Sequence, residues 1–129
     1  MAEAGQGYYP HQAGIDGYGN GGFRFASMSH RGSLLCLPTG MHKWEAASAA
    51  EITLDNLRPV FDAADRIDVL LVGLGKEIVG FPKPIREALR ARNIIVEAIA
   101  TGGAVRTYNI LLGEDRAVGA ALIAVDTIK

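Results

Sequence analysis

Between Asp68 and Gly75 the chain reads DVLLVGLG, and the apolar residues from Val69 to Leu74 run on around Gly73 without a polar interruption. Nothing in that run alternates, so it has no face to show to water. A strand of this kind needs cover on both sides, which is the situation of a central strand in an α/β fold. The next patterned stretch, PKPIREALRARN, puts proline near a first helical turn and Ile85, Ala88 and Leu89 on one stripe. Arg90 and Arg92 fall near the negative end of the helix dipole. IIVEAIA then reads as a second buried strand. Strand, helix and strand in this order predict a parallel pair joined by a right-handed crossover.

The flanking segments have to build around that unit. In TGGAVRTYNILL a helical projection places Ala104, Val105, Tyr108, Leu111 and Leu112 on one face, with Arg106 and Asn109 opposite. Gly113-Glu114-Asp115 ends that helix, and AVGAALIAV reads as a last strand of open direction, with Gly119 a site of close packing. Upstream, FRFASMSH alternates, with Phe23 and Phe25 on one face and Arg24 and Ala26 on the other. RGSLLCLP follows a glycine and MHKW follows the turn Pro38-Thr39-Gly40, so a small antiparallel meander is expected, anchored by Trp44. Leu57, Val60, Phe61 and Ala64 recur at helical spacing. Proline is excluded from a helix interior, so this helix is expected to begin near Asn56 as N-cap, with Pro59 at its third position.

At 129 residues the chain supports one domain with one core. Met1 to Gly22 is rich in Gly and Tyr and nearly empty of aliphatic residues, Ile15 excepted. A segment that buries so little does not offset its ordering entropy. The expected organisation is therefore a flexible arm over residues 1–21 and a single α/β domain over 22–129. Tyr8, Tyr9 and Tyr18 leave open that the arm docks on the body or on a partner, including a neighbouring copy in a homo-oligomer.

The net charge of −1 gives no overall field for nucleic acid or an anionic membrane, so no nucleic acid is expected as a partner. The densest basic stretch, Arg86, Arg90 and Arg92, is interrupted by Glu87. No apolar run approaches the ~20 residues that cross a bilayer, and the amino terminus lacks the pattern of a secretory signal or transit peptide. The single cysteine, Cys36, lies within LLCL and reads as a buried thiol, consistent with a reducing compartment. The expectation is a cytoplasmic protein that does not span a membrane.

Two local features could carry chemistry. VGLGK, Val72 to Lys76, is a glycine-rich strand exit that could turn backbone N–H groups toward an anion, although it matches neither common phosphate-loop pattern. TGG, with Thr101 as cap, exposes the first N–H groups of a helix, and Arg106 could close over a carboxylate or phosphate held there. In a βαβ unit Gly73, Gly75 and Thr101 meet at the carboxyl edge of the sheet, where open α/β sheets place ligands. The structural alternative is a tight turn beside a capped helix with a solvated arginine. His11, His30 and His42 have no metal-ligand spacing, Ser27, Ser29, Ser33 and Ser48 have no nucleophile-elbow context, and Asp62, Asp65 and Asp68 read as solvated surface. No catalytic set, metal ligand or cofactor is expected, which leans away from an enzyme.

Taken together, GGFRFASMSHRGSLLCLPTGMHKW, VLLVGLG and FPKPIREALRARNIIVEAIATGGAVRTYNILLGEDRAVGAALIAV resemble a small single-domain family of uncertain biochemistry. It includes mitochondrial complex I assembly factor 3, a vertebrate adipogenesis-associated protein and compact bacterial and archaeal members. The resemblance runs from about Ile15 to Val125. It implies a three-layer α/β fold, with a central mixed β-sheet, helices on one side and the N-terminal antiparallel hairpin on the other. It also implies an accessory or assembly-type role through protein partners, in respiratory-complex or membrane-protein biogenesis. The positions matching the family's blocks are Gly73, Gly75, Thr101, Arg106, Thr107, Tyr108 and Asn109. The edge they line is the candidate pocket of the alternative reading, a small-molecule or anion-binding protein or enzyme.

Overall fold

The computed structural model describes residues 8–76 and 80–126. Among these residues nine strands form two sheets. β1 (Tyr8–Tyr9), β5 (Leu34–Leu37), β6 (Gly40–Lys43), β7 (Val69–Gly73), β8 (Ile95–Ile99) and β9 (Val118–Leu122) make a six-stranded sheet in the order β1-β6-β5-β9-β7-β8. β2 (Gly17–Gly19), β3 (Gly22–Phe25) and β4 (Met28–Arg31) make a three-stranded antiparallel sheet. The helices are α1 (Arg58–Asp62), α2 (Lys83–Arg90) and α3 (Thr101–Gly113).

The apolar run around Leu70 is β7, and it lies between β9 and β8, parallel to both. β9, whose direction the sequence left open, runs antiparallel to β5 on its other side, so the sheet is mixed. This is the expected architecture, and its handedness explains where each helix lies. The connection from β7 through α2 steps outward to β8. The return through α3 passes back over β7 to β9, reversing direction. Two right-handed crossovers in opposite directions must place their helices on opposite faces. Alternate residues of β7 record the result. Leu70 and Val72 pack with Val60, Ile85 and Leu89, whereas Leu71 packs with Ala104, Val105 and Tyr108. α1 and α2 therefore cover one face, and α3 shares the other with Phe23 and Phe25 of the small sheet. The expectation of helices on one side holds for α1 and α2, while α3 joins the hairpin layer.

The expected meander divides between the sheets: FRFASMSH folds into the hairpin β3–β4 of the small sheet, while LLCL and GMHK are β5 and β6 of the large one. Asn20 and Gly21 join β2 to β3 with φ of 54° and 80°, and Ala26 and Ser27 join β3 to β4 at 49° and 65°. Positive φ at both central residues matches a tight turn to strand twist. Asn-Gly adopts it readily, Ala-Ser with strain.

Two further local expectations are corrected. IIVEAIA is an edge strand, with Ile95 66% exposed, rather than a buried one. Its open edge is shielded by Arg86, whose Nη1 donates to the Val96 carbonyl at 3.0 Å while the guanidinium lies over the Phe81 ring. α1 starts at Arg58 with Leu57 as N-cap, putting Pro59 second. Asn56 instead braces the connector, accepting from Thr53 N–H at 3.0 Å and donating to the Glu51 carbonyl at 2.8 Å.

The N-terminal segment can be followed from Tyr8. Residues 1–7 lie outside the described residues, but 8–21 are built into the body. Tyr8 and Tyr9 pair with His42 and Met41 of β6. Gln12 Nε2 donates to the Val118 carbonyl at 2.7 Å, and the Tyr108 hydroxyl donates to the Ala13 carbonyl at 2.7 Å. Composition counts only what a segment buries by itself. Here side chains about a hundred positions away satisfy its backbone.

Candidate functional site

The carboxyl ends of β7 and β8 do meet. β7 leads away toward one face and β8 into α3 on the other, the kind of switch point at which α/β sheets open a crevice. In this chain the crevice is stitched shut. Thr101 N–H donates to the Gly75 carbonyl at 2.9 Å. The Thr101 hydroxyl accepts from Gly75 N–H at 3.0 Å and donates to the Ile123 carbonyl at 2.8 Å. Leu74 N–H donates to Ile99 at 2.8 Å and Ile123 N–H to Gly73 at 2.9 Å. Thr101 is fully buried. A Cβ added to Gly73 would come within 2.9 Å of the Thr101 backbone and hydroxyl, so glycine is what lets β7 and α3 approach this closely. The N–H groups of Gly75 and Thr101 thus face the Thr101 hydroxyl and the Gly75 carbonyl rather than an open crevice. Thr101 is also not the cap; that position is Ala100, and Thr101 is the first helical residue.

Arg106 points elsewhere. One helical turn and a half separates it from Thr101, which places the two about 140° apart around α3. Gly102, Val105, Arg106 and Asn109 recur at the i, i+3, i+4, i+7 spacing of one face, so Val105 stands beside Arg106 and Asn109 rather than opposite them, and that face borders a groove of about 790 Å³ between α3 and the small sheet. A Cβ at Gly102 would meet the Tyr18 hydroxyl, so the Tyr18 side chain packs against α3 at this glycine. Asn109 does not offer its amide to a ligand. It accepts from Ile15 N–H at 2.8 Å and donates to the Ile15 carbonyl at 2.9 Å, holding the chain that leads into β2. Thr107 is half-buried on another flank of α3, about 100° around the helix from Arg106. The six candidate positions thus divide: Gly73, Gly75 and Thr101 form the seam, Arg106 and Asn109 border the groove, and Thr107 belongs to neither.

The groove's other walls come from residues that sequence reasoning assigned to the arm or the meander. In β3 and β4, Phe23 and His30 are partners that face inward. Arg24 and Arg31 therefore turn outward by strand alternation, and both are exposed. Tyr18 and Asp16 complete the near wall. The alternation of Arg24 against Phe23 and Phe25 was visible in the sequence. Its convergence with Arg106, about eighty positions on, was not.

The remaining reactive groups are occupied or quiet. Burial pushes the Cys36 thiol well above its ordinary range, with a smaller opposing effect from a hydrogen bond to Tyr108. Burial likewise raises the Tyr108 phenol. A protonated, enclosed thiol is a poor nucleophile. His30 Nε2 lies 2.9 Å from the Ser33 carbonyl. His42, beside the Thr39 hydroxyl at 2.9 Å, is held below the usual histidine range by burial. Among the described residues no group of three or more His, Cys, Asp or Glu side chains is placed to hold a metal ion, and no helix is long and apolar enough to cross a membrane.

Comparison with known proteins places this geometry in context. Residues 15–123 match the model of a family described as protein of unknown function, DUF498/DUF598. An uncharacterized protein of Rhodobacter capsulatus is 39% identical over 109 residues, covering 84% of this chain and 82% of that one. The mouse protein named NADH dehydrogenase [ubiquinone] 1 alpha subcomplex assembly factor 3 is 31% identical over 118 residues, 92% of this chain and 64% of the mouse protein. The chain thus spans less than two thirds of that relative. The crystal structure of a protein described as an outer membrane protein, from Bartonella henselae, superposes with a TM-score of 0.88 at 46% identity, covering 92% of this chain and 99% of that one.

Proposed function

We propose, from the premise that this chain belongs to the DUF498/DUF598 family, that it is a cytoplasmic accessory protein that assists assembly through protein partners. The observation that carries this reading is the relationship to a complex I assembly factor over 118 residues, most of the present chain. What the two proteins share is the folded domain itself.

The site geometry supports the same reading. A ligand held by the Thr101 hydroxyl would have to displace it from both of its hydrogen bonds. The buried Cys36 and the hydrogen-bonded His30 and His42 supply no acid–base or nucleophilic pair. The groove beside α3, by contrast, is open and carries exposed arginines, a surface suited to recognition. The test is affinity capture from native membranes with the tagged full chain, followed by mass spectrometry. Enrichment of respiratory-complex subunits or their biogenesis factors is expected. A bait that enriches neither above an untagged control contradicts the proposal.

A further inference from the structure

The groove between α3 and the three-stranded sheet is strongly uneven in charge. Arg24, Arg31 and Arg106 border it from β3, β4 and α3, and Asp16 is the one carboxylate among the residues lining it. The chain as a whole carries a net charge of −1, so this excess is local rather than a reflection of a basic protein. Among the described residues, none of the three guanidinium groups has a carboxylate within ion-pair distance. The floor between them is bare. Gly17 and Gly19 are half-buried and leave backbone there where other strands would carry side chains.

A small anion would meet one or two of these side chains. Engaging all three requires an occupant that crosses from α3 over the edge strand β2 to the outward face of β3 and β4. Guanidinium groups recognise carboxylates through paired N–H donors, and a glycine floor admits a chain lying close to the sheet. We propose that this groove receives an extended, acidic segment of a partner protein, whose carboxylates pair with Arg24, Arg31 and Arg106. This inference rests on the partner-binding reading above and names the chemistry of that partner.

The test uses the full chain and a fluorescein-labelled peptide alternating Glu and Leu, followed by anisotropy, with its Gln-for-Glu counterpart and tripolyphosphate as competitors. The wild type should bind the acidic peptide, with affinity falling as salt rises. The combined variant R24Q, R31Q and R106Q should bind it about tenfold more weakly or worse, the product of three exposed ion pairs. A control with equal charge loss elsewhere, R58Q, R90Q and R92Q, should bind like the wild type. Circular dichroism confirms that both variants fold. Equal weakening in both variants would reduce the effect to overall charge and overturn the proposal. So would no binding, equal binding of the Gln peptide, or displacement by tripolyphosphate at concentrations below those of unlabelled peptide, which would mark a small-anion site. Membrane capture with the same variants separates the two readings. If the groove variant captures the same partners as the wild type, the assembly role stands and this groove is not the docking surface. If the wild type captures none, the assembly role itself fails.

Discussion

Replacing Thr101 by Val keeps the shape of the side chain and removes only the hydroxyl. In the fold that hydroxyl accepts from Gly75 N–H at 3.0 Å and donates to the Ile123 carbonyl at 2.8 Å, and the residue is fully buried. Thr and Val have similar helix propensities, so local preference contributes little. What changes is that one donor and one acceptor lose their partner. A stranded buried group costs about 1–3 kcal/mol, giving about 2–6 kcal/mol for the pair. That is a large share of the roughly 5–15 kcal/mol that holds a domain folded. Thr101→Ser keeps the hydroxyl and loses a methyl group, worth about 1 kcal/mol. Urea unfolding followed by Trp44 fluorescence should rank wild type, Ser and then Val, with midpoints shifting at constant slope. If Val costs less than about 0.5 kcal/mol, the level of an ordinary surface change, the seam is not holding these strand ends together. Thr101 would then return as an available ligand group.

Asn109→Ala should free the segment that Asn109 clamps through both backbone groups of Ile15, costing about 1–3 kcal/mol; amide exchange across residues 12–18 should quicken while β7 and β9 stay protected. Ser27→Gly relieves a left-handed conformation at φ 65° and should raise stability by about 1 kcal/mol in the same urea assay. His42 binds a proton less readily folded than unfolded, because burial lowers its pKa. Its contribution is therefore complete above the ordinary histidine value of about 6.5 and is lost as pH falls through the lower folded value. Stability measured against pH should decline over that window in the wild type and flatten in His42→Gln.

What could be read from the residues was set by how local its cause is. The run around Leu70, the stripe of Ile85 and Leu89 and the buried face of α3 follow from periodicity within one element. Strand order does not. IIVEAIA has the composition of a covered strand, yet it ends the sheet because the chain returns over β7 to insert β9 beside β5. The same non-locality hid the state of residues 8–21, whose anchors are Tyr108, Asn109 and the carbonyl of Val118. Gly73, Gly75 and Thr101 were rightly brought to one edge by the parallel pair. Their local pattern describes available N–H donors, and only the fold shows that Gly75, Thr101 and Ile123 consume one another's hydrogen-bonding capacity. Arg106 was legible as the polar side of α3, whereas its companions Arg24 and Arg31 belong to a hairpin that the sequence joins to α3 only through packing.

Amide exchange of the full chain, compared with and without a captured partner, tests the account at its centre. Protection gained across residues 17–31 and 102–109, with the Gly73–Gly75 turn unchanged, is the predicted outcome. Protection gained at that turn and not beside α3 would move the working surface back to the carboxyl edge and contradict the account.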